Sequence, residues 1–265
     1  MEHFKNIGAG GGLCGGRWPA RASRSNGEHR DNNGRWNVLG RSLSVVIPTL
    51  DAAGTLEGTI RALRGEAGAK LEIMVADGGS GDGTPELAAG LGARVVEGRR
   101  GRGTQLRLGA SHASGAWLLF LHADTRLEPG WYREAQAFIA EPKNAERAAV
   151  YRLALDSTRL SARVIERVAW ARARALGLPY GDQALLISRP FYDALGGHPP
   201  LPIMEDVELI RRVGRRRLVF LETEALTSAL RYEREGYLKR GLRNLACLAL
   251  YRLGVRAETI ARLYG

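Results

Sequence analysis

Short runs of β-branched and aliphatic residues alternate along this chain with segments whose apolar residues recur every three or four positions. Leu43-Ser-Val-Val-Ile47, closed by Pro48-Thr49, reads as a buried strand, and Leu56, Ile60 and Leu63 follow at helical spacing. Residues 71–76 form a second strand that ends in Asp77-Gly78-Gly79-Ser80-Gly81-Asp82-Gly83. Thr84-Pro85-Glu86 then predicts a helix start, with Thr84 as N-cap and Pro85 at the first helical position. A third strand over residues 93–97 runs into the basic, glycine-rich loop 98–103. The helix after it carries Leu106, Ala110 and Ala113 on one face. A fourth apolar run, Trp117-Leu-Leu-Phe-Leu121, ends in His122-Ala123-Asp124, and Pro129 marks the next helix start.

Beyond residue 140 the pattern loosens. Residues 149–155 and 184–188 read as strands. Residues 157–176 predict a basic amphipathic helix with Leu160, Val164, Ile165, Val168 and Ala169. Glu205-Asp206 opens a helical pattern through Val207, Leu209, Ile210 and Val213. Residues 235–264 look mostly helical, with Leu238, Leu242, Leu245, Ala249 and Leu253 nearly on one face. Strand and helix in regular succession predict an α/β fold, a mostly parallel sheet with helices on both faces. Right-handed crossovers then bring every strand's carboxyl end to one edge, where such sheets bind ligands.

Charge refines the division into segments. Residues 1–40 hold nine glycines, scattered arginines and no sustained periodicity, and are expected to be an unstructured leader. Residues 41–232 are expected to be one domain and 233–265 a helical extension. The net charge of +11 is unevenly placed: residues 211–265 hold thirteen basic and five acidic residues, whereas residues 41–210 balance. Two uses are open for that basic, leucine-bearing end: a packed core closing one side of the domain, or loose attachment to an anionic membrane. No apolar run approaches the roughly 20 residues that span a bilayer. No nucleic-acid partner is expected. Cys14 and Cys247 show no metal-ligand spacing, and a reducing cytoplasm without a structural disulfide is expected, with peripheral contact at the inner membrane face as the addition.

The polar residues at the strand ends carry the candidate chemistry. The carboxylate of Asp124 suits Mg²⁺ or Mn²⁺, which keep waters and share a substrate's phosphates, and His122 projects to the same side. The loop 98–103, ahead of a helix N-terminus, suits a diphosphate; it has no Walker lysine. Asp77, followed by glycines, can accept hydrogen bonds from a ribose or base, or close a simple Asx-turn. Asp206 suits a general base, or a favourable interaction with its helix dipole.

In combination, "SVVIPTLDAAGTL", "VADGGSGDGT", "FLHADT", "GDQALLISR" and "MEDVELIRRV" resemble the family-2 glycosyltransferases of the GT-A fold over roughly residues 43–230. The form "LFLHADT" with "GDQ" and "EDVEL" resembles a bacterial subgroup of small soluble members. The resemblance implies inverting, metal-assisted transfer of a sugar from a nucleotide-diphosphate donor, a UDP- or GDP-sugar, to a hydroxyl acceptor, lipid-linked or small. Pro48, Thr49, Asp51 and Asp77 would line the nucleoside pocket. Asp124, joined by His122, would bind Mn²⁺ or Mg²⁺, with His122 standing in for the first aspartate of the family's Asp-x-Asp. Asp206 would be the base, Arg102 would offset diphosphate charge, and Asp182, Gln183 and Glu205 would lie near donor sugar or acceptor. Two other readings stay open, a sugar nucleotidyltransferase and a non-catalytic nucleotide-sugar or membrane-surface binder. The first would place a glycine-rich basic loop where Pro48-Thr49-Leu50-Asp51 stands.

Overall fold

The computed structural model describes residues 28–30, 36–38, 40–68 and 71–264. Inside the expected leader, Glu28–Arg30 (β1) and Trp36–Val38 (β2) pair as an antiparallel ladder. The rest of that leader, and Cys14 with it, lies outside the described residues.

The body begins with Leu43–Thr49 (β3), Ala53–Ala67 (α1), Glu72–Asp77 (β4), Thr84–Gly90 (α2), Arg94–Glu97 (β5) and Arg102–His112 (α3). Trp117–Phe120 (β6), Thr125–Leu127 (β7), Trp131–Ala140 (α4), Ala148–Asp156 (β8) and Leu160–Leu176 (α5) follow. Leu185–Ser188 (β9), Arg189–Ala194 (α6), Glu205–Val213 (α7) and Leu218–Ser228 (β10) complete the sheet and its cover. Leu230–Glu235 (α8), Tyr237–Arg252 (α9) and Ala257–Tyr264 (α10) close the chain.

Eight strands make one sheet in the order β5-β4-β3-β6-β9-β8-β10-β7. The β5-β4-β3-β6 half and the β8-β10 pair are parallel, while β9 and β7 run antiparallel to their neighbours. This is the expected α/β, mostly parallel sheet. The strand runs are apolar on both faces because both faces are covered. Val45, Ile47, Leu119 and Leu121 meet Leu56, Ile60, Trp131 and Phe138 of α1 and α4 on one side. Val46, Leu118 and Phe120 meet Leu106, Phe191, Leu209 and Ile210 of α3, α6 and α7 on the other. Alternate residues of one strand thus feed opposite cores.

Four local expectations change. Gly83, with φ 81°, is the N-cap of α2, so Thr84 is its first helical residue; the Thr84 hydroxyl instead bonds Asp82 and accepts from the Ala52 N–H. β7 and β10 had no signal, and a register shift between Phe220 and Glu224 breaks the alternation of β10. The buried side of α5 is Ala162, Ala169 and Ala173, while Leu160, Val164 and Val168 face solvent. On α9 the leucine stripe also points outward, and the buried residues are Arg240, Cys247 and Leu248. The exposed leucines therefore take no part in the packing of this end; Cys247, Leu248 and Ile260 pack against Leu178, Met204 and Val207 instead. No helix among the described residues is long and apolar enough to cross a membrane.

Candidate active site

The carboxyl ends of β3 and β4 meet with their side chains already engaged. Thr49 Oγ1 donates to Asp77 Oδ1 at 2.8 Å, and Ser80 Oγ donates to the same oxygen at 2.6 Å. The N–H groups of Gly79 and Ser80 both bond Asp77 Oδ2 at 2.8 Å. Burial pushes the Asp77 carboxyl up, but the Ser80 and Thr49 hydroxyls and the two N–H groups outweigh it and hold it below its ordinary value. Asp77 thus closes an Asx-type turn, its buried carboxylate engaged by donors of Thr49, Gly79 and Ser80. Asp51, exposed and at φ 50°, accepts from the Gly81 N–H at 2.9 Å and lies on the open side of that loop beside half-buried Pro48. Gln105, which the sequence did not single out, ties the two strand ends together by donating to Thr49 O at 2.6 Å and Ala76 O at 2.9 Å.

Beside this edge lies a cleft of about 260 Å³ whose walls include Arg102, His122, Asp124, Asp182, Asp206 and Arg231. Asp206, in the first turn of α7, accepts from the Gly181 N–H at 2.6 Å and from the Val207 N–H at 2.7 Å. A carboxylate has about four lone-pair sites, so both oxygens retain accepting capacity. The backbone at Gly181 runs close against the site: a Cβ there would stand 2.8 Å from His122 Nε2 and 3.2 Å from Asp206 Oδ2. Asp124 is half-buried, and its carboxylate receives only a long 3.5 Å contact from the Thr125 hydroxyl. Two further bonds hold the end of β10 against this turn, Ser228 N–H to Asp124 O at 3.1 Å and Thr125 Oγ1 to Thr227 Oγ1 at 2.8 Å. They carry α8 to the cleft, which explains how Arg231 arrives there.

Two of the expected site residues stand behind the wall. Glu205 is wholly buried and ion-paired with Arg102. Gly103 packs so closely behind it that a Cβ would meet Pro199 O at 2.1 Å. Gln183 is also buried; it accepts from the Tyr180 N–H and donates to Tyr151 O, both at 3.3 Å, and so shapes the turn that presents Asp182. Among the described residues, the three non-glycines with positive φ are Asp51, Ala184 and Met204. Met204 precedes Glu205-Asp206 and Ala184 follows the Gly181–Gln183 turn, so backbone strain borders the cleft, where surrounding structure must hold it.

The electrostatics are set by burial and by close opposite charges. Burial lowers the proton affinity of Arg102, but Glu205 and then Asp206 outweigh it and hold the guanidinium above its ordinary value. Burial and the field of Arg102 bring His122 down to about 4 against the pull of Asp124 and Asp206, which keeps the imidazole neutral near pH 7. Burial pushes Asp182 up to about 6; Arg172 opposes this, while Asp206 and Asp124 add to it. The folded chain thus holds the Asp182 proton more tightly than the unfolded chain. This contribution to stability is full below the unfolded value and is lost as pH rises through about 6. Urea unfolding of Asp182→Asn should therefore show wild type losing stability relative to the variant between about pH 4 and about pH 7. A difference that does not change with pH would refute the buried-carboxyl account.

Tyr180, Arg231, Tyr232, Arg240, Asn244 and Tyr264 also face the cleft and were not expected. Arginines in a basic helical tail look in sequence like any solvated face. Among the described residues no group of three or more His, Cys, Asp or Glu could hold a metal ion. A closed zinc-type cage is therefore not formed there. Asp124, with one carboxylate open to the cleft, still fits an ion that takes most of its ligands from phosphate and water.

A curled, mostly parallel sheet whose carboxyl edge opens on a polar cleft defines a GT-A fold. The sequence matches the family described as Glycosyl transferase family 2 over residues 44–177, and the chain belongs to that family. A curated relative, the PGL/p-HBAD biosynthesis glycosyltransferase of Mycobacterium tuberculosis, is 34% identical over 106 residues, covering 37% of this chain and 41% of the relative. The match thus spans less than half of that protein's length. Among solved structures, glucosyl-3-phosphoglycerate synthase from M. tuberculosis, in complex with Mn²⁺, UDP and glucosyl-3-phosphoglycerate, superposes with TM-score 0.55 at 20% identity over 86% of each chain. TarS residues 1–349 of S. aureus gives TM-score 0.56 at 14% identity, covering 84% of this chain and 70% of that one. At such identities these two likenesses speak for the fold alone.

Proposed function

We propose that this chain is an inverting glycosyltransferase that moves a sugar from a UDP- or GDP-sugar to a hydroxyl acceptor with the help of Mn²⁺ or Mg²⁺. The observation that carries this reading is the meeting of Arg102, Asp124, Asp182 and Asp206, from four separate segments, on one cleft at the sheet's carboxyl edge. Family membership favours it over a nucleotidyltransferase, and similar structures solved with UDP or UDP-GlcNAc support a nucleotide-sugar donor. In this reading residues 41–232 are the catalytic domain and α8–α10 close its acceptor side.

Asp206 takes the proton of the acceptor hydroxyl as its oxygen attacks the anomeric carbon. The bond from that carbon to the diphosphate oxygen breaks on the opposite face, and the nucleoside diphosphate leaves with the electron pair. Asp124, with His122 beside it, would hold the divalent ion, which supplies positive charge to the diphosphate as it departs. Arg102 adds a fixed cation at the same wall, positioned by Glu205. Pro48, Asp51 and the loop braced by Thr49 and Asp77 form the nucleoside side. Asp182 faces donor sugar or acceptor, and Gln183 shapes its turn.

A ligand that binds only the folded state raises stability, by about 2.7 kcal/mol at a hundredfold excess over Kd. UDP with Mn²⁺ is therefore expected to raise the melting temperature of wild type more than UDP alone. In Asp124→Ala the Mn²⁺-dependent part should disappear while the metal-independent part persists. An unchanged Mn²⁺ increment in the variant would remove Asp124 from the metal site.

A further inference from the structure

Helices α5 and α9 each turn an aliphatic stripe to solvent. Leu160 and Val164 are 84% and 55% exposed on α5, and Leu238 and Leu242 are 74% and 57% exposed on α9; Val168 and Leu245 continue the two rows. Spacings of three and four residues keep each set on one helix face. Both stripes are left out of the helices' packing, since α5 buries Ala162, Ala169 and Ala173 and α9 buries Arg240, Cys247 and Leu248 while these aliphatic rows stay outside.

The two stripes belong to one surface. Tyr237 Oη, at the start of α9, donates to Ser157 Oγ just ahead of α5 at 2.9 Å. Further along, a Cβ on Gly241 would lie 3.0 Å from Ile165 Cδ1. Advancing along α9 therefore means advancing along α5, so the helices run side by side in the same sense. At about 100° per residue, Leu238, Leu242 and Leu245 lie roughly a quarter-turn clockwise of Gly241, viewed from the N-terminus. Leu160, Val164 and Val168 lie roughly a quarter-turn anticlockwise of Ile165. In two parallel helices touching at Gly241 and Ile165, these directions point to the same side.

Charge accompanies that face. α9 carries Lys239, Arg240, Arg243 and Arg252 and no acidic residue, and Lys239 and Arg252 are exposed at the borders of its leucine row. Arg167 and Arg174 are exposed on α5, whose one acidic residue, Glu166, is engaged by Arg163 and the Leu155 N–H. Arg240 and Asn244 leave α9 on the side away from the leucines, toward the cleft.

We propose that the paired outer face of α5 and α9 docks on an anionic phospholipid surface. Aliphatic rows without aromatic or hydrogen-bonding groups need no shaped partner; the acyl boundary of a bilayer covers them, while flanking Lys and Arg meet headgroup phosphates. The helices lie on the membrane rather than across it. The inference stands apart from the transfer reaction, because none of these aliphatic residues lines the cleft.

The test is sedimentation of the full chain with vesicles of phosphatidylcholine containing phosphatidylglycerol, and with phosphatidylcholine alone. Wild type is expected to bind the anionic vesicles at low salt, bind the neutral ones weakly, and release at high salt. Val164→Gln/Leu238→Gln/Leu242→Gln should lower anionic-vesicle binding by at least about tenfold. Its melting temperature and its shift with UDP should match wild type, which keeps a folding defect apart from a docking defect. Equal binding by the variant, or no binding by wild type, overturns the proposal. So does a wild-type dimer in light scattering that the same substitutions dissolve, which would assign the face to a second copy of the chain.

Discussion

Asp206→Asn is expected to lower the rate of sugar transfer by about 10²–10⁴-fold, the usual contribution of a positioned general base. The substitution keeps the shape of the side chain but leaves one oxygen where the carboxylate has two. Gly181 and Val207 each donate a backbone N–H to Asp206, so one of those bonds loses its acceptor. That costs about 1 kcal/mol of stability, which a melting curve will register without abolishing the fold. Donor binding should change little, because the Asp51 loop and Asp124 are untouched. The informative comparison is therefore transfer against UDP-dependent stabilisation in the same variant. Loss of both together would mean that Asp206 organises the cleft through Gly181 rather than moving a proton. Wild-type transfer in Asp206→Asn would end the base assignment outright.

The sheet and the polar rim were legible in the sequence for one physical reason. β3, β4 and β6 are buried on both faces, so their runs are continuously apolar and stop abruptly at Thr49, Asp77 and His122. β10 lacks that signature because its register breaks at Leu221-Glu222-Thr223, between the paired Phe220 and Glu224, yet it supplies Thr227 and Ser228 to the cleft. Periodicity located the apolar stripes of α5 and α9 but not their direction. Spacing shows which residues share a face, and only the alanines packed on β8 reveal which face is inside. Asp124, Asp182 and Asp206 could be singled out as polar residues at element ends. Arg231, Arg240, Asn244 and Tyr264 could not, since tertiary bonds bring their helices to the cleft: those of Thr125, Thr227 and Asp124 for α8, and Asn244 to Tyr232 and Arg240 to Tyr264 for α9 and α10. Likewise, that Asp77 serves its own loop follows from where four donors point, which a linear reading does not contain.

Arg102→Ala should be the costliest change in the site for stability, at about 2–4 kcal/mol near pH 7. The upper part of the range for breaking a buried pair does not apply, because Arg102 is partly solvated and its attraction to Glu205 is partly screened. Glu205 is the reason for the loss. It is wholly buried, Arg102 bonds its Oε1, and its Oε2 has no hydrogen-bond partner. Without the guanidinium, a carboxylate in that position has no compensating charge, and burial already pushes its proton affinity up. A group whose folded value is raised favours the folded state at low pH, so the penalty of Arg102→Ala should shrink as pH falls and Glu205 takes up a proton. Urea unfolding across pH measures this directly. The double variant Arg102→Ala/Glu205→Gln removes the buried charge and should regain most of the stability. It should not regain affinity for UDP, because the cation at the N-terminus of α3 is still missing. Arg102 sits where a helix dipole disfavours positive charge, and Glu205 is what makes that placement tolerable. If the double variant recovers stability and UDP affinity together, Arg102 is a structural partner of Glu205 and has no part in holding the diphosphate.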